Sequence, residues 1–223
     1  MPRNEKVTLA SHYEKIEKKA DWIMTDFGAF TEGVRALFII YRTKEKKLMH
    51  LYGDDSNVSK HHQHLRCTIV SGPVELKQAL ISYLDEVERS PLELRIQLAV
   101  NPRDINKGIR EFKRQQLEAD YYDETSKAQF YLRIKDRMIS SLMKPASRAS
   151  THFLIDCDTV EDMTNAQLKL AELNVPVLKQ YATKSGGWHL ITEPFNKSLF
   201  SSEKLSMDLV HTDGLLLLSW KGA

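Results

Sequence analysis

The spacing of hydrophobic residues changes along this chain between a helical period and a strand period, which predicts an α+β fold. Residues 74–88 carry apolar side chains every three or four positions, which indicates an amphipathic helix. Its expected inward-facing residues are Leu76, Leu80, Tyr83, Leu84 and Val87. Residues 92–100 alternate between apolar and polar, which is typical of a half-buried strand.

The same criteria predict the other elements of the chain. We expect helices over residues 1–30, from residue 104 onward, over residues 123–143 and over residues 160–173. In the last of these, the expected inward-facing residues are Met163, Leu168 and Leu173. We expect strands over residues 34–41, 48–52, 65–70, 153–157, 177–183, 188–192, 207–210 and 215–220.

One segment, residues 144–150, is rich in Pro, Ala and Ser and is the best candidate for a linker. It separates the last helix of the N-terminal part from an apolar strand. We therefore expect an N-terminal αβ unit over residues 1–146 and a second half over residues 147–223. The two are expected to pack as one compact molecule with mixed β-sheets and a cleft between the halves.

The composition is that of an ordinary globular protein, since the 223 residues are 42% hydrophobic and 28% charged. No apolar run reaches the roughly 18–20 residues that a membrane span requires, and the charged N-terminus lacks the hydrophobic core of a signal peptide. The 2 cysteines, Cys67 and Cys157, provide neither a disulfide framework nor a cysteine-rich zinc module. We therefore expect a cytoplasmic protein without membrane contact.

Charge is distributed unevenly, although the net charge is only +2. Between residues 126 and 150 the only acid is Asp136, and the basic residues are Lys127, Arg133, Lys135, Arg137, Lys144 and Arg148. From residue 151 onward, acids outnumber lysines. This pattern suits a protein that holds a polyanion beside a cation site, although a solvated helix face would also explain the basic segment.

The apolar strand over residues 153–157 ends in an Asp-x-Asp sequence. Side chains two positions apart on a strand point to the same side, so Asp156 and Asp158 are expected to project together while Cys157 faces the core. Two neighbouring carboxylates suit a hard divalent cation such as Mg²⁺ or Mn²⁺. The alternative is that Asp158 only caps the helix that follows.

A glycine turn further along the chain provides groups that suit phosphate. Lys184 and Ser185 precede Gly186 and Gly187, which let backbone N–H groups approach an anion, and His189 adds a side-chain donor. A third carboxylate follows on an apolar strand, where Asp208 and Asp213 are both candidates. These groups are the set that a metal-bound nucleoside triphosphate requires.

An arginine and a histidine cluster in the first part of the chain each allow more than one interpretation. Arg103 lies at a strand-to-helix junction, where it is a candidate phosphate contact or the partner of Asp104 or of another neighbouring acid. His61, His62 and His64 are candidates for a metal site or a phosphate contact, or they belong to a polar edge strand.

Three ordered motifs give the chain its resemblance to a known family. They are Phe-Leu-Ile-Asp-Cys-Asp at residues 153–158, Ser-Gly-Gly-Trp-His at residues 185–189, and the apolar segment of residues 207–218 that contains Asp208 and Asp213. In this order they resemble the archaeo-eukaryotic primase superfamily, also called primase-polymerases, over about a third of the chain. The resemblance implies an RRM-like catalytic half, with the aspartates holding Mg²⁺ or Mn²⁺ and the Ser and His contacting nucleotide phosphates.

The expected function follows from this resemblance. The chain is expected to be a metal-dependent nucleotidyltransferase that adds nucleotides to a nucleic acid or to a starting nucleotide. Its expected partners are a nucleoside triphosphate and a single-stranded or primed nucleic acid, and its size suggests a minimal catalytic core of phage or mobile-element type, for DNA replication. Two other hypotheses stay open: a non-catalytic nucleotide- or nucleic-acid-binding module, and a metal-dependent phosphoesterase or nuclease.

Overall fold

A computed structural model of the chain describes residues 9–27, 33–41, 63–122, 124–183 and 186–220. Within these residues it contains 6 α-helices and two antiparallel sheets of four strands each, which confirms the α+β class. None of the helices in the described part of the chain is long and apolar enough to cross a membrane.

The helices and strands follow the expected order except at residues 123–143, which form two helices, and at Met207–Leu209, which is a 3-10 turn and not part of a strand. The helices are α1 (Leu9–Phe27), α2 (Pro73–Arg89), α3 (Ile105–Tyr122), α4 (Glu124–Leu132), α5 (Ile134–Met143) and α6 (Val160–Glu172). The strands are β1 (Arg35–Tyr41), β2 (Gln63–Val70), β3 (Arg95–Ala99), β4 (Phe153–Cys157), β5 (Val177–Ala182), β6 (Trp188–Thr192), β7 (Val210–His211) and β8 (Leu215–Trp220). The expected strand over residues 48–52 lies outside the described residues.

The chain divides into two compact units. The first comprises Met1–Thr31, Leu37–Gln97 and Leu217–Ala223, and the second comprises Glu32–Ala36 and Leu98–Leu216. The first unit contains helix α2, whose five expected inward-facing residues are all buried. The second unit contains α3 to α6 and the complete sheet formed by β4 to β7, and it therefore carries every candidate residue of the three motifs that the structure describes.

The sheet of the second unit has the strand order β5-β6-β4-β7. Its β4 pairs antiparallel with both β6 and β7. One face of β4, formed by Phe153, Ile155 and Cys157, packs against Ala166 and Leu170 of α6 in a hydrophobic core. Because side chains alternate along a strand, Leu154 and Asp156 lie on the opposite face of β4, where Leu154 is buried and Asp156 is partly exposed.

Two expectations about helices are wrong. Residues 123–143 form two helices rather than one, because the backbone at Arg133 leaves the helical conformation at φ −116° and ψ 29°. Leu168 of α6 was expected to face inward, but it is 61% exposed, and Ala166 and Leu170 form the buried stripe instead.

The segment over residues 144–150 is folded into the second unit. Pro145–Ser147 forms a short 3-10 helix, and the buried Ser147 accepts a hydrogen bond from the Asp104 backbone N–H at 2.7 Å through its own carbonyl oxygen. The Ala149 N–H donates to the Pro102 carbonyl oxygen at 3.0 Å. These bonds anchor the segment to the residues that follow β3.

Candidate active site at the end of strand β4

Strand β4 places Asp156 on the face of the sheet that does not carry α6. The side chain of Asp156 is 44% exposed, whereas its neighbours Ile155 and Cys157 are fully buried. Asp158 follows the last residue of the strand and is exposed. The local sequence thus holds one carboxylate on a rigid strand and a second at its solvent-exposed end.

Helix α6 is capped by Thr159 and not by Asp158. The Thr159 hydroxyl accepts a hydrogen bond from the Asp162 backbone N–H at 3.0 Å, and the Asp162 carboxylate accepts one from the Thr159 N–H at 3.1 Å. This reciprocal pair is a capping box, which satisfies the first turn of the helix. Because Thr159 makes these bonds, helix capping does not account for the carboxylate of Asp158.

His189 on β6 lies directly opposite Asp156 on β4 in the antiparallel register. Directly opposed residues point to the same face of a sheet, and the His189 Nε2 atom is 3.4 Å from the Asp156 Oδ1 atom. His189 is buried, with its side chain 9% exposed. The strand pairing therefore brings together the acid of the first motif and the histidine of the second.

The glycine turn between β5 and β6 packs against the end of β4. Gly187 approaches so closely that a Cβ atom at this position would overlap the Cys157 carbonyl oxygen and lie 3.1 Å from the Asp158 Cα atom. Gly186 has a φ of +85°, a conformation that L-residues rarely adopt. The missing side chain at Gly187 permits this close approach, so the second motif lies against the Asp-x-Asp sequence.

The two candidates for the third acid lie in different surroundings. Asp208 is exposed in the 3-10 turn Met207–Leu209, which contacts β4 immediately before β7. In the register of β4 with β7, Ile155 pairs with Val210 and Leu154 with His211. Because the strands are antiparallel, Asp208 precedes β7 on the side where β4 ends, while Asp213 follows β7 on the side where β4 begins.

Asp213 is held by two arginines and an asparagine. Its carboxylate pairs with the guanidinium group of Arg103 and, at 2.8 Å, with that of Arg148, and it accepts a hydrogen bond from Asn101 at 3.3 Å. Arg103 is only 1% exposed and also donates to the Lys144 carbonyl oxygen at 3.1 Å. Burial lowers the pKa of Arg103, and the Asp213 carboxylate opposes this by favouring the charged form. Arg103 therefore forms a salt bridge, but with the sequence-distant Asp213 and not with Asp104 or another neighbouring acid.

The pKa of the Cys157 thiol reflects the negative charge of the carboxylates at the end of β4. Burial, together with the negative charges of Asp162, Asp156 and Asp158, raises the pKa of its thiol to about 12. Three carboxylates are thus close enough to one buried atom to disfavour another negative charge.

The donor set at the end of β4 fits a hard divalent cation with open coordination positions. Among the residues that the structure describes, no three His, Cys, Asp or Glu side chains form a group that could enclose a metal ion. Mg²⁺ is usually held by only one or two carboxylates and completes its shell with water and substrate phosphates. The carboxylates of Asp156 and Asp158 are of the type and number that Mg²⁺ uses.

Several candidate residues lie outside the described part of the chain. These are Lys184 and Ser185 of the second motif, and His61 and His62; His64 belongs to β2, but its side chain is not described. Trp188 of the second motif is partly buried and packs against the hydrophobic core of the second unit.

One residue of this face could not be recognised from the sequence. Tyr181 on β5 lies opposite His189 in the register of β5 with β6, so the sheet aligns Tyr181, His189 and Asp156 in one row. No motif marks Tyr181, because only strand pairing brings it there.

Comparisons of this chain with protein-family models, with curated proteins and with solved structures found no match.

Proposed function

We propose that this chain is a metal-dependent nucleotidyltransferase of primase-polymerase type. The observation that carries the proposal is the pairing of Asp156 with His189 across two strands, with the glycine turn packed against Asp158. Residues that are distant in sequence, and that the resemblance assigns to metal and phosphate, lie together at one end of one sheet.

The topology of the second unit supports the RRM-like half of the proposal. The chain runs through β4, α6, β5, β6 and β7, and the strands lie in the order β5-β6-β4-β7. A βαββαβ unit has this order, although here 3-10 turns occupy the connection between β6 and β7 where that unit has its second helix. Asp156 and His189 occupy the two central strands of this sheet, and Asp158 directly follows β4.

Each residue has a defined task in the proposed reaction. Asp156 and Asp158 bind the divalent cation, and Asp208 is the third acid because its carboxylate is exposed at the same end of β4, whereas that of Asp213 is already paired with two arginines. His189, the backbone of Gly187, and the sequence-assigned Lys184 and Ser185 hold the triphosphate, while the Gly186 N–H donates within the turn to the Thr183 carbonyl oxygen at 3.2 Å. The buried side of β4 fixes the backbone that carries the acids, so little reorganisation is needed when substrate binds.

The proposed reaction joins a hydroxyl oxygen of the acceptor to the α-phosphorus of the nucleotide. The bond from the α-phosphorus to the oxygen that bridges it to the β-phosphate breaks, pyrophosphate leaves, and the hydroxyl proton passes to solvent water. A bound Mg²⁺ or Mn²⁺ would stabilise the negative charge that grows on the phosphate oxygens. The residues of the chain orient the triphosphate so that the acceptor oxygen and the leaving group are in line.

The deciding experiment measures incorporation of labelled nucleotide into primed and unprimed oligonucleotides in the presence of Mn²⁺ or Mg²⁺. We expect wild-type protein to form phosphodiester bonds and the Asp156→Ala, Asp158→Ala double variant to fall to background. The matched control is Glu118→Ala with Asp120→Ala, because these acids on α3 are also two residues apart and exposed. This control should retain wild-type activity.

Two other outcomes would contradict the proposal. Shortening of the labelled strand without extension would identify a nuclease instead. Oligonucleotide binding that is unaffected by a chelator, without any phosphodiester formation, would identify a non-catalytic binding module.

A further inference from the structure

The basic segment of residues 127–148 is partly neutralised by ion pairs. Lys144 pairs with Glu111, Arg148 lies 2.8 Å from Asp213, and Lys127 lies 4.0 Å from Glu124. Three of the six basic residues therefore have an acidic partner within the fold. The positive charge that remains available to a ligand is therefore smaller than the sequence suggests, and it belongs to the basic residues within 133–137.

The remaining three basic residues are Arg133, Lys135 and Arg137, at the turn from α4 to α5. All three are exposed. In the part of the chain that the structure describes, no carboxylate lies within ion-pair distance of any of them. Arg137 lies over the Phe130 ring, with its guanidinium carbon 6.0 Å from the ring centroid.

Apolar side chains are exposed between these cations. Leu132 is 84% exposed and Ile134 is 48% exposed. In a continuous helix Ile134 would have shared a face with the buried Phe130, but the helix breaks between them at Arg133. We call Leu132, Arg133, Ile134, Lys135 and Arg137 the α4–α5 surface.

We propose that the α4–α5 surface binds single-stranded nucleic acid. Three cations without acidic partners attract a phosphate backbone, and the exposed apolar side chains between them offer contact to unstacked bases, which a duplex does not present. The surface belongs to the same compact unit as Asp156 and His189. The inference rests on the proposed function only for the choice of nucleic acid as the polyanion.

The test uses full-length protein and a fluorescein-labelled oligothymidylate, with binding followed by fluorescence anisotropy at several salt concentrations. For single strands, each phosphate contact that is lost reduces the magnitude of the slope of log K against log salt by about 0.7. At 0.1 M salt this corresponds to a roughly fivefold loss of affinity. The variant Arg133→Gln with Lys135→Gln should therefore lose about 1.4 in slope and roughly 25-fold in affinity. Both residues are exposed, so circular dichroism should show an unchanged fold.

The matched control is Lys15→Gln with Lys204→Gln, which removes the same charge from two exposed lysines outside the surface. It should bind like wild type. Equal binding by the Arg133, Lys135 variant and this control would overturn the inference, as would wild-type protein that does not bind the oligonucleotide.

The same variants separate this inference from the proposed function. Wild-type protein that binds through the α4–α5 surface but never forms a phosphodiester bond would support the inference and contradict the proposed function. Primer extension by wild-type protein, combined with equal binding by the Arg133, Lys135 variant and the control, would support the proposed function and contradict the inference.

Discussion

Asp208 and Asp213 are chemically identical, but their surroundings predict opposite consequences of substitution. Removing the Asp213 carboxylate leaves the buried Arg103 without its acidic partner, and breaking such a pair costs about 3 kcal/mol or more of unfolding free energy. Asp208 is exposed, so Asp208→Ala should change stability by no more than about 0.5 kcal/mol. Urea denaturation of both alanine variants measures these differences.

Activity should show the reverse order for the same two positions. Asp208→Ala should abolish nucleotide incorporation while the protein remains fully folded. Asp213→Ala should retain incorporation at temperatures where it stays folded, since its carboxylate binds arginines and not the substrate. A stable, inactive Asp213→Ala protein would reassign the third acid.

Cys157 predicts a specific loss of stability at alkaline pH. The folded protein keeps the thiol protonated because its pKa is raised to about 12, whereas an unfolded thiol ionises near its ordinary value of 9.0. Above about pH 9 the unfolded state therefore binds fewer protons than the folded state, and the unfolding free energy falls as pH rises. This fall should be shallower for Cys157→Ala when chemical denaturation is compared between pH 8 and pH 11. Parallel curves for the two proteins would show that the thiol ionises equally in both states.

At the scale of elements, the β5–β6 turn depends on its two glycines in different ways. Gly187→Ala places a methyl group against the backbone of β4, so the turn must move away from Asp158. We expect a loss of more than about 1 kcal/mol and a raised KM for the nucleotide, because the phosphate-binding backbone shifts. Thermal unfolding and initial-rate kinetics measure the two effects.

Gly186→Ala is the matched control for this turn. A methyl group at Gly186 meets open space, so only its positive φ is unfavourable, at about 1 kcal/mol. Gly186→Asn should cost less than this, since asparagine tolerates the left-handed conformation. If Gly187→Ala and Gly186→Ala raise the KM equally, close packing of the turn on β4 is not what positions the phosphates.

Helices and strands that bury one face could be predicted from the sequence, whereas the elements that this face packs against could not. Helix α2 repeats its apolar residues over four turns, so all five inward positions were evident before the fold was known. Leu168 misled the prediction, because its size suggested burial, while the face that packs on β4 uses the smaller Ala166. The break at Arg133 has no glycine or proline to mark it.

In the candidate site, too, single residues could be predicted from the sequence but their spatial partners could not. Asp156 and His189 were recognised from local motifs, but their direct opposition depends on strand register, which no local pattern records. The partner of Arg103 lies 110 residues away, so the sequence could only offer a nearby acid as its alternative. The sequence identified the residue types of the site, but it could not predict which residues distant in sequence would pair.

At the scale of the whole molecule, every described residue of the proposed site belongs to the second compact unit. Ligand binding should therefore protect that unit first. A ligand at a hundred times its Kd stabilises the folded state by about 2.7 kcal/mol, which corresponds to a rise in Tm of roughly 5–10 °C for a chain of this length. We expect this rise with a nucleoside triphosphate and Mn²⁺ together, and its loss after EDTA is added or in the Asp156→Ala, Asp158→Ala variant.

Hydrogen exchange measured by mass spectrometry locates the same effect along the chain. With the triphosphate and Mn²⁺ present, peptides that cover β4, β6 and the turn between β5 and β6 should exchange more slowly. Peptides from helix α2 in the first unit serve as an internal control, because no candidate ligand residue lies there. Protection of α2 without protection of β4 would place the nucleotide in the first unit. That result would remove the basis for assigning Asp156 and Asp158 to the metal, since local protection follows the residues that the ligand stabilises.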